Sequence, residues 1–544
     1  MRKSINPLRL LLLVALWLAA FSNIALWRTL WRLGQLQRPA DYAFAGGFLL
    51  LIAAILVLFG AALAWRKTIK PVLTVLLLVA AVACYYMLTY SIVIDPTMLV
   101  NVLATDPAEA RDLLTYKLLL YVLVLAILPA IWLWRQPLHA HTTAPKQLGQ
   151  NALAMLAAGV LVVVILLAIF QPFASLMRNH TQVRYLINPL SSLWSLGVAV
   201  AQPLAQPKVL EPLARDARVA RAPTLPPKTL LLVVGETARA DHFQLNGYDR
   251  ATNPLLAQRT DVVSFTQVMS CGTSTAASLP CMFSHLGRAD YSGSKSYSEN
   301  LLDVLQHAGL AVLWVDNQSG CKGLCERVPQ VSTTALKDAE YCSTGECFDA
   351  VMLKNLDAEV AKLPAERLAK GLVIVLHQMG SHGPAYYKRS PPSSKLFQPE
   401  CRSVTLQDCP REQIVNAFDN SIVYTDFLLN SSINWLKSRT NAAAAAMLYV
   451  SDHGESLGEN NLYLHGLPYA VAPQAQKHVP WISWLGADFG IDANCLQQHR
   501  AQALSHDHLF HTVLGAMEVQ TAAYQAPLDA YAACKRAAAL VPSH

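Results

Sequence analysis

Charge is scarce in this sequence, and cysteine is nearly missing from its first half. Only 15% of the 544 residues are Asp, Glu, Lys or Arg, against 53% hydrophobic, which excludes a wholly soluble chain. The surplus of 43 Lys and Arg over 36 Asp and Glu, a net +7, would suit anionic lipid headgroups or nucleic acid alike. The basic residues form no long run, and no nucleic-acid partner is expected. No internal repeat is visible, so a repeat architecture is set aside. Of 11 cysteines, Cys84 alone precedes residue 270. It stands in an apolar run and reads as inert packing.

What is abundant is apolar sequence, and it is concentrated in the first third. Runs over residues 8–26, 42–65, 71–93, 118–134 and 152–170 are each long enough to cross a hydrocarbon core. The first follows Arg2, Lys3 and Arg9 but lacks a clear cleavage site, so it reads as a retained helix. Most loop cations (Arg2, Lys3, Arg9, Arg66, Lys67, Lys70, Arg135, Lys146) fall on one side, and Arg28, Arg32 and Arg38 oppose them. The majority puts the N-terminus in the cytoplasm. Five spans then place everything downstream outside.

The ten remaining cysteines agree with that placement. Cys271/Cys281, Cys321/Cys325, Cys342/Cys347 and Cys401/Cys409 read as four short disulfide loops, with Cys495/Cys534 a looser fifth. The alternative is a zinc–cysteine cluster, which fits a membrane protein with an exported domain less well.

Residues 171–219 have mixed polarity and read as helices along the membrane surface, and Arg221-Ala222-Pro223-Thr224-Leu225-Pro226-Pro227-Lys228 reads as a linker. The expected division is a membrane domain over 1–172, a bridging segment over 173–228 and a catalytic domain over 229–544. In that last part, runs at 229–235, 311–316, 371–377 and 446–451 look like buried strands separated by helical sequence. The expectation is an α/β domain with a mostly parallel central sheet flanked by helices.

In open α/β sheets functional groups collect beyond the carboxyl ends of the strands. Here those ends carry Glu236, then His377-Gln378-Met379-Gly380-Ser381-His382-Gly383, then Asp452-His453-Gly454-Glu455. Glu, Asp and His together suit a zinc ion with one position left open. Ser270-Cys271-Gly272-Thr273-Ser274-Thr275 reads as a hydroxyl-rich loop entering a helix, where unpaired N–H groups favour developing negative charge. Ser and Thr are also ordinary helix caps, and the bare residues do not choose between Ser274 and Thr275 as a nucleophile. Asn101, Thr105 and Glu109 follow one another at i, i+4 and i+8 on an outer loop. The histidine-dense run Ser505-His506-Asp507-His508-Leu509-Phe510-His511 reads as helical packing and support around the site rather than as a ligand set.

These motifs, together with Ser451-Asp452-His453-Gly454-Glu455-Ser456-Leu457-Gly458-Glu459, resemble the signatures of the bacterial phosphoethanolamine transferases of the alkaline phosphatase/sulfatase superfamily. The resemblance implies a multi-pass inner-membrane enzyme with a periplasmic catalytic domain. It implies transfer of phosphoethanolamine from phosphatidylethanolamine to lipid A, and polymyxin resistance. Thr275 matches the nucleophile, and Glu236, Thr275, Asp452 and His453 match the zinc ligands. His382 and His465 match a pair holding the phosphate or a second zinc. Ser319 and Lys322, with Asn101, Thr105 and Glu109, match residues around the donor headgroup. The chain is expected to act as a monomer. Core sugars and periplasmic glucans are alternative acceptors, and the catalytic motifs do not separate them. Phosphatase and phosphoglycerol-transferase readings also stay open. A sulfatase reading is disfavoured because Thr275-Ala276-Ala277-Ser278-Leu279 lacks a Cys/Ser-x-Pro-x-Arg signature.

Overall fold

A computed structural model describes residues 4–34, 36–103, 111, 113–139, 143–204, 209–222, 224–294, 297–333, 336, 338–343 and 346–536. The chain forms two compact units, one of residues 1–99 with 114–205 and one built on the chain from 206 onward.

In the first unit, four helices among the described residues are long and apolar enough to cross a membrane: Asp41–Leu63, Ile69–Tyr90, Tyr116–Trp134 and Ala144–Ala168. A fifth span exists if Pro7–Phe21 and Ile24–Arg32, bent by 40° at the break, count as one. The run 8–26, expected as one helix, is therefore broken. The cause is Asn23. Its amide donates to Leu18 O at 3.0 Å and Asn188 O at 2.6 Å. Asn188 in turn donates to Ser22 O at 2.9 Å and Ala80 O at 2.7 Å. Paired asparagines thus satisfy the backbone groups that the break frees, as apolar surroundings require. Beyond the spans, helices run over Phe170–Asn179 and Leu190–Leu204.

The second unit is organised by a seven-stranded sheet. We number its strands β1 (Thr229–Gly235), β2 (Val262–Phe265), β3 (Ala311–Asp316), β4 (Gln330–Ser332), β5 (Leu372–His377), β6 (Ala445–Ser451) and β7 (Trp481–Leu485). The order is β2-β7-β6-β1-β5-β3-β4. Strands β6, β1, β5, β3 and β4 run parallel, while β7 is antiparallel to both β6 and β2. The central strands are buried along their length, which is why they read as unbroken Val/Leu/Ile runs. β5 starts one residue later than expected. Gly371 has φ +138°, and a Cβ there would stand 2.8 Å from a Leu310 methyl and 3.1 Å from Lys228 O.

Leu230, Leu232 and Val234 of β1 pack with α1 (Leu301–His307) and α2 (Leu509–Ala516) on one face. The alternate set turns to the opposite face, where the 27-residue helix Arg411–Lys437 covers β6. Register then places the functional edge: Gly235 is opposite Ser451, Val234 opposite His377, and His377 opposite Asp316. The residues that follow these four strand ends, Glu236, Asp452, Gln378 and Asn317, emerge side by side.

Five disulfides staple this unit: Cys271–Cys281, Cys321–Cys325, Cys342–Cys347, Cys401–Cys409 and Cys495–Cys534. Cys84 is free and buried.

Candidate active site

Glu236 leaves β1 into a tight turn. Thr237 has φ +61°, a conformation that costs a β-branched residue about 1–2 kcal/mol. The turn is held because Thr237 N–H donates to Asp452 Oδ1 at 3.2 Å and Ala238 N–H to Ser451 Oγ at 2.8 Å. The Thr237 hydroxyl donates to Glu236 Oε1 at 2.6 Å. Behind Glu236 lies the loop after β5. Gly380 has φ +52°, and a Cβ on it would meet Glu236 O at 2.7 Å. Ser381 N–H donates to that same carbonyl at 3.0 Å. Asp349 accepts from Met379 N–H at 2.7 Å and Gly380 N–H at 3.0 Å. The glycine-containing run after β5 thus acts on Glu236 through backbone contact.

Thr275 is the first residue of helix Thr275–Met282, with Ser274 as its N-cap. The loop before it is pinned at several points. Gly466 N–H donates to Thr273 O at 2.7 Å, and the Thr273 hydroxyl to Leu467 O at 2.6 Å. His506 accepts at Nδ1 from Cys271 N–H at 3.0 Å, so its Nε2–H faces Ser451 O at 2.9 Å. Burial pushes the His506 imidazole down to about 3, which keeps it neutral and able to accept. Ser278 Oγ donates to Asp452 O, and the Cys271–Cys281 disulfide closes the same loop.

These supports converge. Thr275 Oγ1 lies 3.2 and 3.0 Å from the two Glu236 oxygens and 3.5 Å from His453 Nε2. His453 Nε2 is 3.3 Å from Glu236 Oε1 and 3.5 Å from Asp452 Oδ2. One donor atom each from Glu236, Asp452 and His453 fall within 4.8 Å of one another, all buried. Burial opposes charge on all three. Burial and then Glu236 push Asp452 up to about 7. Burial would lower His453, but Asp452 and Glu236 lift it to about 10. Burial would raise Glu236, but the hydrogen bond and charge of His453, then His382 and His465, hold it well below the carboxylate range. Two buried carboxylates therefore demand positive charge, the part a bound cation would play. Asp452 Oδ2 is buried without a hydrogen-bond partner. The donor set, the shared reach and this orphaned oxygen fit a divalent metal.

The other candidates fall into two groups. His382 and His465 face each other with ring centroids 5.9 Å apart, and His465 lies 4.3 Å from His453. Lys322 Nζ donates to Ser319 Oγ at 3.0 Å, and Ser319 Oγ to Gln318 Oε1 at 2.5 Å. Gln318 closes that chain by donating to Glu236 Oε2 at 2.9 Å. Asn101 belongs to the helix Pro96–Leu103, its side chain outside the described residues; Thr105 and Glu109 lie outside them altogether. His377 is not in the ligand cluster: its Nδ1 is 3.0 Å from Asp316 and its ring lies against Trp314. Sequence reasoning missed Gln318, Thr237, Ser278 and Asp349. It singled out the histidine run without seeing that His506 joins the two catalytic loops. Gln318 stands between Asp316 and Ser319, and that neighbourhood was its one available signal.

Residues 228–519 match the Sulfatase family and residues 50–204 match a family described as Phosphoethanolamine transferase EptA/EptB. The chain is 39% identical to Phosphoethanolamine transferase EptA of Escherichia coli (strain K12) over 98% of both chains. The chain belongs to the phosphoethanolamine transferases. This transferase is also 38% identical to Phosphatidylethanolamine transferase Mcr-1 of Escherichia coli, over 95% of this chain and 96% of that one. A solved structure, the integral membrane protein lipooligosaccharide phosphoethanolamine transferase A from Neisseria meningitidis, superposes with a TM-score of 0.90 at 34% identity. It covers 97% of this chain and 99% of its own. The transferase is thus an enzyme in which an α-helical membrane part with four to five apolar spans is followed by a sulfatase-like α/β part.

Proposed function

We propose that the enzyme moves phosphoethanolamine from phosphatidylethanolamine to a phosphate of lipid A in two displacements at phosphorus, with Thr275 as the nucleophile. The observation that carries the reading is the convergence of Thr275 Oγ1 on Glu236 and His453. The names of the Mcr-1 and Neisseria relatives, a phosphatidylethanolamine and a lipooligosaccharide transferase, support the donor and the acceptor class. Glu236, Asp452, His453 and Thr275 would hold zinc, which when bound lowers the pKa of a hydroxyl and offsets phosphoryl charge.

In the first displacement Thr275 Oγ1 bonds to phosphorus and the bond to the diacylglycerol oxygen breaks. The hydroxyl proton leaves toward Glu236, already its acceptor. The departing glycerol oxygen takes a proton from the His382/His465 pair, which stands beside His453. In the second displacement a phosphate oxygen of lipid A attacks the same phosphorus and its proton passes to the His382/His465 pair, while the bond to Thr275 Oγ1 breaks and that oxygen regains its proton from Glu236. Gln318 fixes Glu236, while Lys322 and Ser319 hold the donor headgroup with Asn101, Thr105 and Glu109. A second zinc between His382 and His465 is the alternative to that proton-donor role.

Both substrates are lipids. The working topology is five spans over residues 1–172 with a cytoplasmic N-terminus, a bridging segment over 173–228 and a periplasmic catalytic domain over 229–544, acting as a monomer. Capping an anionic phosphate with an ammonium group lowers surface charge, which weakens binding of cationic polymyxins. Mass spectrometry of lipid A and core oligosaccharide from a host expressing wild type or Thr275→Ala tests the reading. A phosphoethanolamine increment on lipid A with wild type alone is expected. An increment confined to core sugar overturns the acceptor, and an equal increment in both strains overturns Thr275.

A further inference from the structure

Two cations meet one aromatic ring beside the catalytic loops, and nothing described above uses them. The Arg288 guanidinium lies 3.5 Å from the centroid of Tyr469, and Lys477 Nζ lies 5.1 Å from the same centroid. Lys477 also donates to Tyr469 O at 3.4 Å. All three residues are half-buried. Among the described residues, neither cation forms an ion pair. Burial and then the neighbouring Arg288 pull the Lys477 ammonium down. Two like charges held against one ring are costly together; the Asp507 carboxylate accepts from the Arg288 backbone N–H, but no carboxylate pairs with either cationic head among the described residues, and an anion between them would relieve that cost.

Their place in the fold ties them to the reaction. Lys477 follows Ala475 and Gln476, whose carbonyls accept from Glu455 N–H at 2.8 Å and Gly454 N–H at 3.1 Å in the ligand loop. Its own carbonyl accepts from Ser270 N–H at 2.7 Å, at the root of the nucleophile loop. Lys477 is therefore on a segment wedged between the two loops that carry Asp452, His453 and Thr275. Tyr469 is four residues past His465, on the stretch pinned to Thr273 through Gly466 and Leu467. Arg288 is fixed by its N–H donating at 2.8 Å to Asp507 Oδ1, the neighbour of His506. The segments carrying Lys477 and Tyr469 bond directly to the loops of the site, and Arg288 is tied to them one residue removed, through the neighbour of His506.

From this geometry we infer that Arg288 and Lys477, held on Tyr469, form the subsite for a phosphate of the acceptor glycolipid. The inference rests on the transfer reading for its role, but the anion site itself stands on the unpaired cations. A guanidinium and an ammonium present donors to a phosphate dianion from two sides. Borne by segments bonded to the loops of Asp452, His453 and Thr275, they would hold the attacking phosphate or its partner phosphate on the same sugar backbone as it approaches the phosphoryl group on Thr275.

The test uses the full-length chain in detergent, with Thr275→Ala as the background so that nothing turns over. Binding of phosphorylated lipid A, of lipid A stripped of its phosphates and of phosphatidylethanolamine is measured. Arg288→Gln with Lys477→Gln is expected to weaken binding of phosphorylated lipid A by about a hundredfold, roughly tenfold per charge. The other two lipids should change far less. The exchange Arg288→Lys with Lys477→Arg should keep most of the affinity. Unchanged binding in the Gln pair overturns the inference, as does an equal loss for phosphatidylethanolamine, which would make this a donor site. An exchange pair as weak as the Gln pair overturns it too, because packing on Tyr469 would then be the cause. A wild-type chain that binds phosphorylated lipid A through these residues yet transfers nothing to it sinks the transfer reading and leaves the site standing.

Discussion

The proposed metal ligands and the proposed nucleophile are held by different kinds of structure. Glu236 and Asp452 leave adjacent parallel strands whose register is fixed along their whole paired length. Their positions follow from the sheet, and few single contacts could move them. Thr275 directly follows no strand of the seven-stranded sheet; only the two-residue strand Val268–Met269 immediately precedes its loop. Its loop is placed by hydrogen bonds from Gly466, Thr273, Cys271 and Ser278, and by one disulfide. The lesson is a division of labour: the sheet sets where charge is concentrated, and the loop sets whether the hydroxyl reaches it. Damage to the first should remove the metal. Damage to the second should leave the metal and slow the chemistry.

The largest effect is expected at the sheet end. Glu236→Gln or Asp452→Asn should cost about a thousandfold or more in turnover and empty the site, read by elemental analysis of purified protein. Metal retained at wild-type stoichiometry in either variant would break the comparison. On the loop side, His506→Ala removes the group joining Cys271 N–H to Ser451 O. A small displacement of a reacting atom costs up to about a hundredfold, so turnover should fall about 10- to 100-fold with metal content unchanged. Loss of metal in this variant would mean that the loop also holds the ligands.

Disulfides sharpen the contrast further. Replacing Cys271 and Cys281 by Ser should cost about 2–3 kcal/mol of stability and about tenfold in turnover. Replacing Cys401 and Cys409, a loop of similar size that holds no catalytic residue, should cost comparable stability but leave turnover near wild type. Equal turnover losses in thermal-melt and rate measurements would remove the special role of the first.

The smallest effect concerns stability alone. Asp426 is buried where it accepts from Leu255 and Leu256 N–H, and burial lifts its carboxyl to about 7. The unfolded chain releases that proton near pH 4. The folded state therefore holds the extra proton between about pH 4 and 7, and its stabilising contribution is full below that window and lost as pH rises through it. Asp426→Asn should flatten the melting-temperature profile across the window; an unaltered slope would contradict this.

The two regions also differ in how legible they were. A buried parallel strand must be continuously apolar, and an acid after such a run stands out, so 229–235, 311–316 and the convergence candidates Glu236, Asp452 and His453 could be picked out directly. Gln318 and His506 could not, because their roles exist only once register has brought Glu236 and Ser451 beside them. The break at Asn23 was hidden for the same reason: its partner Asn188 is far along the chain. Strand β7 was missed because Trp481–Leu485 is short and antiparallel, without an acid at its end to mark it.

The central claim is that the loop delivers Thr275, and not its neighbour Ser274, to the sheet-borne cluster. Ser274 caps the helix, and its hydroxyl is buried without a hydrogen-bond partner, whereas Thr275 Oγ1 is 3.0 Å from Glu236. Peptide mass spectrometry of the full-length enzyme, incubated with phosphatidylethanolamine and no acceptor, measures this directly. The account predicts a phosphoethanolamine increment fragmenting to Thr275, absent in Thr275→Ala and kept in Ser274→Ala. An increment on Ser274, or diacylglycerol release by Thr275→Ala at the wild-type rate, would contradict it.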